Sequence, residues 1–574
     1  MSKSKRAIEG EMESSIDSPI ELTYQLAELP SAQHRAGLAG LVLIVREVTE
    51  YQRDRFAERF ENGAVLELKN LTELGVTLRL NREGLAALFD LTYAAFEEER
   101  STETKIKKFD RIEEVEKKDK KGKPKLVKRY YYKTVVPEGA FLPAWDTSND
   151  GSNRGIWIKL WRDMMWNIIR GVPTTRNPYN GRVNGASYSR DIDTTWGGLQ
   201  HPENAIGQTG QYYLGAASTN PENILVKDKT RYQFLLHFWV FVAQVYCPMT
   251  LDKKGEREQA GYVLAIPDIA NLEIFCEEIE EILRSRSSKT WRYLPKYAGI
   301  DLPEEGAFNL LNLLKKRVSH EMSDPRTIDL VLGVELIHAE KVGNSGVKIR
   351  SVSYIDPIQE TIDRYVQFRD LYWCPWFRKQ RLLNLVRSQP ELIEPDAPLK
   401  ELPAWHEFDA LLSRVPRKWL EDKEEKPSYF SHDARKLFTE EVKVNTKTEI
   451  RKYAQIVYKV CQHYVLSKLD SKFDLNWKDC QGNPKKEEEY NKKKYKVANE
   501  AFLAVRSHTE ERAFINYFVS TLYPFVKETE FADFADNLFN KTDEIRALTL
   551  LALSSQFPLT PKSENSKNDA SDSA

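Results

Sequence analysis

The tripeptide Gly482–Asn483–Pro484 interrupts a long helical pattern, parting a stretch at 446–469 from another at 486–506. Glycine and proline are the strongest local breakers, so two separate helices are predicted. Moving outward, the apolar spacing predicts further helices at 433–441, 509–524, 529–540 and 542–555. Together they make a helical bundle over 426–558. Across 415–430 the character changes, and upstream of it strand and helix signals alternate. The predicted fold class is therefore α+β and multi-domain, with a mixed N-terminal region at 19–425 followed by the C-terminal helical bundle. A chain of 574 residues is too long for one core, which agrees. Residues 1–18 and 559–574 are polar and are expected to be disordered tails.

In the mixed region Ser31 is an N-cap candidate for a helix from Ala32 to about Asp54. Strands are expected at Val65–Leu68 and Val76–Leu80, then a helix through Leu85–Glu99. Residues 101–133 carry 11 Lys and 2 Arg against 6 acids, a net +7, around a Lys-Gly-Lys-Pro turn at 121–124. The flanking Val127–Tyr132 is β-prone, so a long basic hairpin or flap is predicted. Leu272, Phe275, Cys276, Ile279, Ile282 and Leu283 keep helical spacing, which places an amphipathic helix over Asn271–Ser285. Another helical region spans about 357–387 and contains Tyr372, Trp373, Trp376 and Phe377.

Composition narrows the function. Basic and acidic residues nearly cancel, 85 against 86, so nucleic-acid binding has to come from local patches. The 5 cysteines are scattered without a C-x-x-C pair, which suits a reducing cytoplasm and argues against zinc knuckles. The longest apolar runs, Leu38–Val45 and Phe234–Val245, are too short to cross a bilayer. The sequence has no Walker loop, no H-E-x-x-H and no G-x-S-x-G, so no enzyme activity, cofactor or metal is expected. His320–Glu321 with Asp324 and the core-bound His237 are better explained structurally than as ligands. A nuclease with dispersed carboxylates and a protein-only assembly scaffold stand as alternatives.

The most unusual stretch is 145–220, rich in Asn, Gly, Arg, Tyr and Trp and poor in aliphatic residues. Asn, Gln and Arg can make two-pronged contacts with base edges, and glycines let the backbone approach a phosphate. Asn177, Asn180, Asn184 and Gln208 are candidate base readers, with Arg176, Arg182 and Arg190 as phosphate or groove contacts. A long ordered surface loop whose Asn and Gly residues only serve turns fits the same residues. Lys121 and Lys123 of the flap, and Lys485, Lys486, Lys492, Lys493 and Lys496 of the bundle, are candidate phosphate contacts. On a helix 485, 492 and 496 lie near one face. The intervening Glu487–Glu489 is a competing partner for these lysines.

The segment 29–41, Leu-Pro-Ser-Ala-Gln-His-Arg-Ala-Gly-Leu-Ala-Gly-Leu, resembles the N-terminal signature of the Myxan-type large subunit of type I CRISPR Cascade complexes. Ala501–Arg506 and Ala547–Ser554 are similar to later segments of the same family. The signature itself reads as a core helix in which Gly37 and Gly40 permit close packing. The resemblance implies a non-catalytic subunit that recognises the short motif flanking the target (the PAM) in double-stranded DNA, helps open the duplex and stabilises the R-loop. Guide RNA (crRNA) would read the target by base pairing. The implied partners are the Cascade backbone and guide-end-capping subunits, small subunits, the displaced strand, and a recruited nuclease-helicase or transposition proteins. It further implies that the helical region is like a Cascade small subunit.

Overall fold

The computed structural model describes residues 18–557 apart from 119–123, 149–154, 170–175, 208–226, 252–256, 292, 322–329, 344–345, 389–401, 417–419, 421–427, 443–448 and 526–531. These residues form two compact units that divide between 359 and 360. Lys121, Lys123, Gln208 and Asp324 fall outside the described residues, as do the expected tails except Ser18.

The first unit begins with strand β1 (Ile20–Gln25) and helix α1 (Ala32–Arg46). Next come β2 (Leu66–Lys69), β3 (Gly75–Leu80), α2 (Arg82–Thr92), β4 (Ala95–Thr102), β5 (Arg111–Lys118) and β6 (Pro124–Pro137). Strands β1, β3 and β2 make an antiparallel sheet in that order. Ser31 does occupy the N-cap of α1, but its hydroxyl bonds to His34 Nδ1 at 2.7 Å rather than to a backbone amide. The helix is buried over almost its whole length and packs on a central strand. A Cβ at Gly37 would sit 2.3 Å from Leu235 O, and one at Gly40 2.2 Å from Phe238 O. Only glycine lets the helix lie that close to the 235–238 backbone.

The expected helix through Leu85–Glu99 ends early. Asn81 caps it, accepting from Gly84 N at 2.9 Å, and the chain then enters β4 at Ala95. Pairing with β6 wins over helix propensity there, because Ala95 to Thr102 lie opposite Pro137 to Tyr130 residue by residue. The predicted basic hairpin is present as β5 and β6, with β4 completing a sheet of order β4-β6-β5.

Helices α3 (Asn177–Gly181) and α4 (Arg190–Leu199) follow. Then come β7 (Gln244–Leu251), β8 (Arg257–Gln259), β9 (Tyr262–Ile269), α5 (Leu272–Arg284), β10 (Thr290–Trp291), β11 (Leu294–Pro295) and β12 (Gly299–Ile300). Helix α6 (Glu304–Glu321) and strands β13 (Val331–Val342) and β14 (Gly346–Ile355) close the unit. The largest sheet has the order β8-β7-β9-β13-β14, with β12 alongside β7. Helix α5 matches the sequence closely: Asn271 caps it, accepting from Ile274 N at 3.1 Å, and all six spaced apolar residues are buried.

The second unit is helical among its described residues. It contains α7 (Gln359–Leu371), α8 (Pro375–Arg387), α9 (Glu449–Phe473), α10 (Pro484–Ser507) and α11 (Thr542–Ser555), with shorter helical turns between. The unit thus takes in α8 as well as the helices after 426. At the predicted break Gly482 is left-handed (φ 88°), Asn483 is the N-cap and Pro484 opens α10. From Ile545 to Ser555 helix α11 is buried on all sides, and α9 and α10 pack against it. A helix buried all round in this way sits at the centre of a bundle, and its buried Thr549 and Ser554 hydroxyls are satisfied by donating to the carbonyls of Ile545 and Leu550. Trp373 is partly exposed and stacks on His432, whereas Tyr372, Cys374 and Phe377 are fully buried. No described helix is long and apolar enough to cross a membrane.

Candidate nucleic-acid interface

The polar stretch after residue 175 folds as a short helix, a tight turn and a second helix, held by a buried ion-pair network as well as by the buried side chains of Tyr179, Ile192, Trp196 and Leu199. Pro178 and Tyr179 point inward, and the Tyr179 ring meets Tyr93 edge-on at 5.2 Å. Tyr93 in turn bonds His237 Nδ1 at 2.5 Å, so His237 is a satisfied core histidine, as expected. After α3, Asn184 and Gly185 both adopt positive φ (53° and 82°). Asn184 N donates to Ala95 O at 3.0 Å, tying this turn to the start of β4.

Arg182 is the centre of the arrangement, and it corrects the expectation placed on it. Its side chain is 2% exposed. It donates to Asp90 Oδ1 at 2.8 Å, to both oxygens of Asp191 at 2.8 and 2.9 Å, and to the carbonyls of Pro178 and Tyr188. Burial pulls the guanidinium pKa down, but the hydrogen bonds and charges of Asp191 and Asp90 outweigh it and leave it raised. A guanidinium has five N–H donors, and these partners use them. Arg182 is therefore committed to internal carboxylates and is not available to a phosphate. A second pair, Arg82 with Asp193 at 2.6 Å, fastens α4 to the start of α2.

What the pinned loop leaves outside is Arg176, Asn177, Asn180, Asn184 and Arg190, all exposed. Asn177 and Asn180 are three residues apart on α3 and share a face. Arg176 lies 4.2 Å over the ring of Trp166, which orients its guanidinium. Asn184 sits apart from this face, on the lip of a cleft of about 1180 Å³. That cleft is lined by six carboxylates against four guanidiniums. Among them is Arg162, whose pKa burial brings down to about 10 and which donates to Glu138 O at 2.6 Å. The acidic excess repels a phosphate backbone, and nothing in the spacing of Glu58, Glu97 and Glu138 along the sequence announces their convergence.

On the hairpin much of the positive charge is spent internally. Arg111 bonds Glu99 at 2.8 Å and also Glu113, while Lys117 bonds Glu103 and Lys133 pairs with Glu97. These pairs are exposed and individually weak, so they yield readily to a stronger polyanion. In the second unit Lys485, Lys486, Lys492 and Lys496 are exposed on α10. Lys493 lies 4.7 Å over Phe473, and burial lowers the pKa of Lys494. Among the described residues Glu487–Glu489 form no ion pair with these lysines, and Glu487 instead accepts from Gly482 N at 2.8 Å. No described group of His, Cys, Asp and Glu has the arrangement of a metal site.

Residues 65–324 match the family model of the Type I-B CRISPR Cas8b N-terminal domain, and residues 331–556 match that of the Type I-B CRISPR Cas8b C-terminal domain. No curated protein matches the chain.

Proposed function

The chain belongs to the type I-B CRISPR Cas8b family of Cascade large subunits, and from that premise we propose that it recognises the PAM in double-stranded DNA, opens the duplex and holds the R-loop without catalysing a reaction itself. The observation that supports a reading role most directly is the exposed face of α3, where Arg176, Asn177 and Asn180 stand on a backbone fixed by the buried Arg182 network. Preorganised amide and guanidinium groups suit base-edge contacts in a groove, because little ordering remains to be done on binding. Arg190 and the flap, including Lys121 and Lys123, supply phosphate contacts that position the duplex. The exposed lysines of α10 follow the displaced strand, in a helical region that acts as a small subunit does. Guide RNA, the backbone and guide-end-capping subunits, small subunits and a recruited nuclease-helicase or transposition machinery complete the complex, in the cytoplasm. Assignment to the Myxan kind rests on the signature at 29–41, which lies ahead of the matched residues.

The test is the assembled complex carrying Arg176→Ala, Asn177→Ala and Asn180→Ala together. Binding to a duplex with the PAM should weaken by tenfold or more, since each good base contact is worth about 1–3 kcal/mol. Binding to a duplex without it should change far less. A folded variant with undiminished PAM preference would remove these residues from the reading.

A further inference from the structure

A second cleft in the first unit, of about 840 Å³, lies between β8, the β10–β11 hairpin and the end of β13. We infer that this cleft is a stacking pocket for an unpaired nucleobase of single-stranded nucleic acid; the inference rests on the nucleic-acid role proposed above and adds a site to it.

Its volume is in the range of small-ligand sites. Its charges cancel: Arg257 and Lys341 stand against Glu258 and Glu340, Arg257 is paired with Asp301, and Glu340 with Arg350 at 2.5 Å. A track for phosphates needs a surplus of positive charge, which the described residues of this lining lack. What it offers instead is rings and amides. Tyr293, at the tip of the β10–β11 hairpin, is 62% exposed and lines the cleft. Trp291 is half-buried beside it, with Arg257 6.0 Å from its ring. Asn167 and Gln259 add carboxamides to the same lining. A planar, uncharged, hydrogen-bonding ligand matches that chemistry, and a base has a π-face for the rings and polar edges for the amides.

The floor is fixed in advance. Ala260 N donates to Pro248 O at 2.8 Å, His338 Nε2 bonds Ala260 O at 2.6 Å, and Gln259 Nε2 donates to Gly261 O at 2.9 Å. Gly261 has φ 88°, and a Cβ there would lie 2.4 Å from Ala339 O, so the 257–262 turn is seated directly on β13. A rigid floor with rings at the mouth is an arrangement that admits a flat ligand without remodelling the sheet.

The experiment uses the full-length chain and labelled single-stranded oligonucleotides of about ten nucleotides, read by fluorescence anisotropy. The probes are oligothymidine, oligouridine and an abasic strand of equal length and charge. The base-bearing strands should bind about tenfold tighter than the abasic one, the gain expected from stacking one or two bases. Tyr293→Ala should bring that advantage to within about twofold, whereas Tyr293→Phe, which keeps the ring, should preserve it. A preference for oligouridine assigns the pocket to the guide, and one for oligothymidine to a DNA strand. Equal binding of abasic and base-bearing strands by the wild type, or an advantage that survives both Tyr293→Ala and Trp291→Ala, overturns the inference. PAM-duplex binding by the assembled complex is measured alongside. Its loss in the wild type refutes the proposed function, while the abasic comparison alone decides the pocket.

Discussion

Replacing Arg182 separates two roles that residue type alone cannot distinguish. In Arg182→Met the aliphatic stem is kept and five hydrogen bonds are lost. Asp90 keeps Arg59 at 2.5 Å, but Asp191, 8% exposed, is left as a buried carboxylate without its countercharge. Removing one partner of such a pair costs about 3–5 kcal/mol. With two units in the chain a single unfolding free energy is poorly defined, so the local quantity is the one to measure. Amide hydrogen exchange across 177–199 should accelerate by about 10²-fold to a few thousandfold, since each factor of ten corresponds to about 1.4 kcal/mol. Amides of α9 and α11 should be unaffected. Adding Asp191→Leu to Arg182→Met should recover a substantial part of the protection, because removing both members of a buried pair is far less costly than removing one. Arg182→Lys should fall between, as an ammonium cannot make the fork to Asp191. If Arg182→Met left exchange unchanged yet abolished DNA binding, the guanidinium would be a nucleic-acid contact and the structural role argued here would be wrong.

Three further outcomes follow from the same geometry. Gly40→Ala places a methyl 2.2 Å from Phe238 O, and the overpacking should cost about 1–3 kcal/mol and lower the first unit's melting transition; an unshifted calorimetric trace would contradict the close approach of α1. Glu335 has its pKa raised by burial, with Asp268 adding to the shift and Arg35 opposing it, and its Oε2 has no hydrogen-bond partner among the described residues. The folded state therefore holds that proton more tightly than the unfolded chain, and stability declines as pH rises from the ordinary carboxylate range through the raised value. Glu335→Gln should stabilise the unit at neutral pH, and the gain should vanish in acid; denaturation midpoints at several pH values check the sign. Changing Lys485, Lys492 and Lys496 to Ala should flatten the dependence of single-strand affinity on salt by about 0.7 per lost contact, and an unchanged slope would mean that α10 does not touch the strand.

How much of this was legible beforehand depended on where the partners of each residue lay in the chain. The α5 helix was readable because its signals are local: an Asn cap, then apolar residues at helical spacing. The Gly482–Asn483–Pro484 break was readable for the same reason, each residue acting on its own backbone. Strand β4 was not, because Glu97, Glu98, Glu99 and Arg100 form an unbroken polar run that hides the period of two. Its partner strand arrives only with Thr102 opposite Tyr130 and Ala95 opposite Pro137. The acidic cleft and the aromatic pocket were invisible too, since each gathers residues from four or more separate segments.

Arg182 shows why a candidate site is harder to read than a fold. By type it belongs with Arg176 and Arg190, and only the fold, which brings Asp90 from a distant helix, moves it inward. The way the stretch is held nevertheless explains how it can work. A loop with few aliphatic residues has little hydrophobic burial to order it. Here a buried ion-pair network adds to the burial of Tyr179, Ile192, Trp196 and Leu199, and its directional bonds favour one conformation of the loop. Pinned from within by Arg182, the loop can leave Arg176, Asn177 and Asn180 outside in fixed positions. A flexible loop of the same composition would have to give up that freedom on every binding event. If α3 reads DNA, therefore, loss of Arg182 should degrade specificity by loosening the face that carries the contacts. It should do so without removing a single contact of its own.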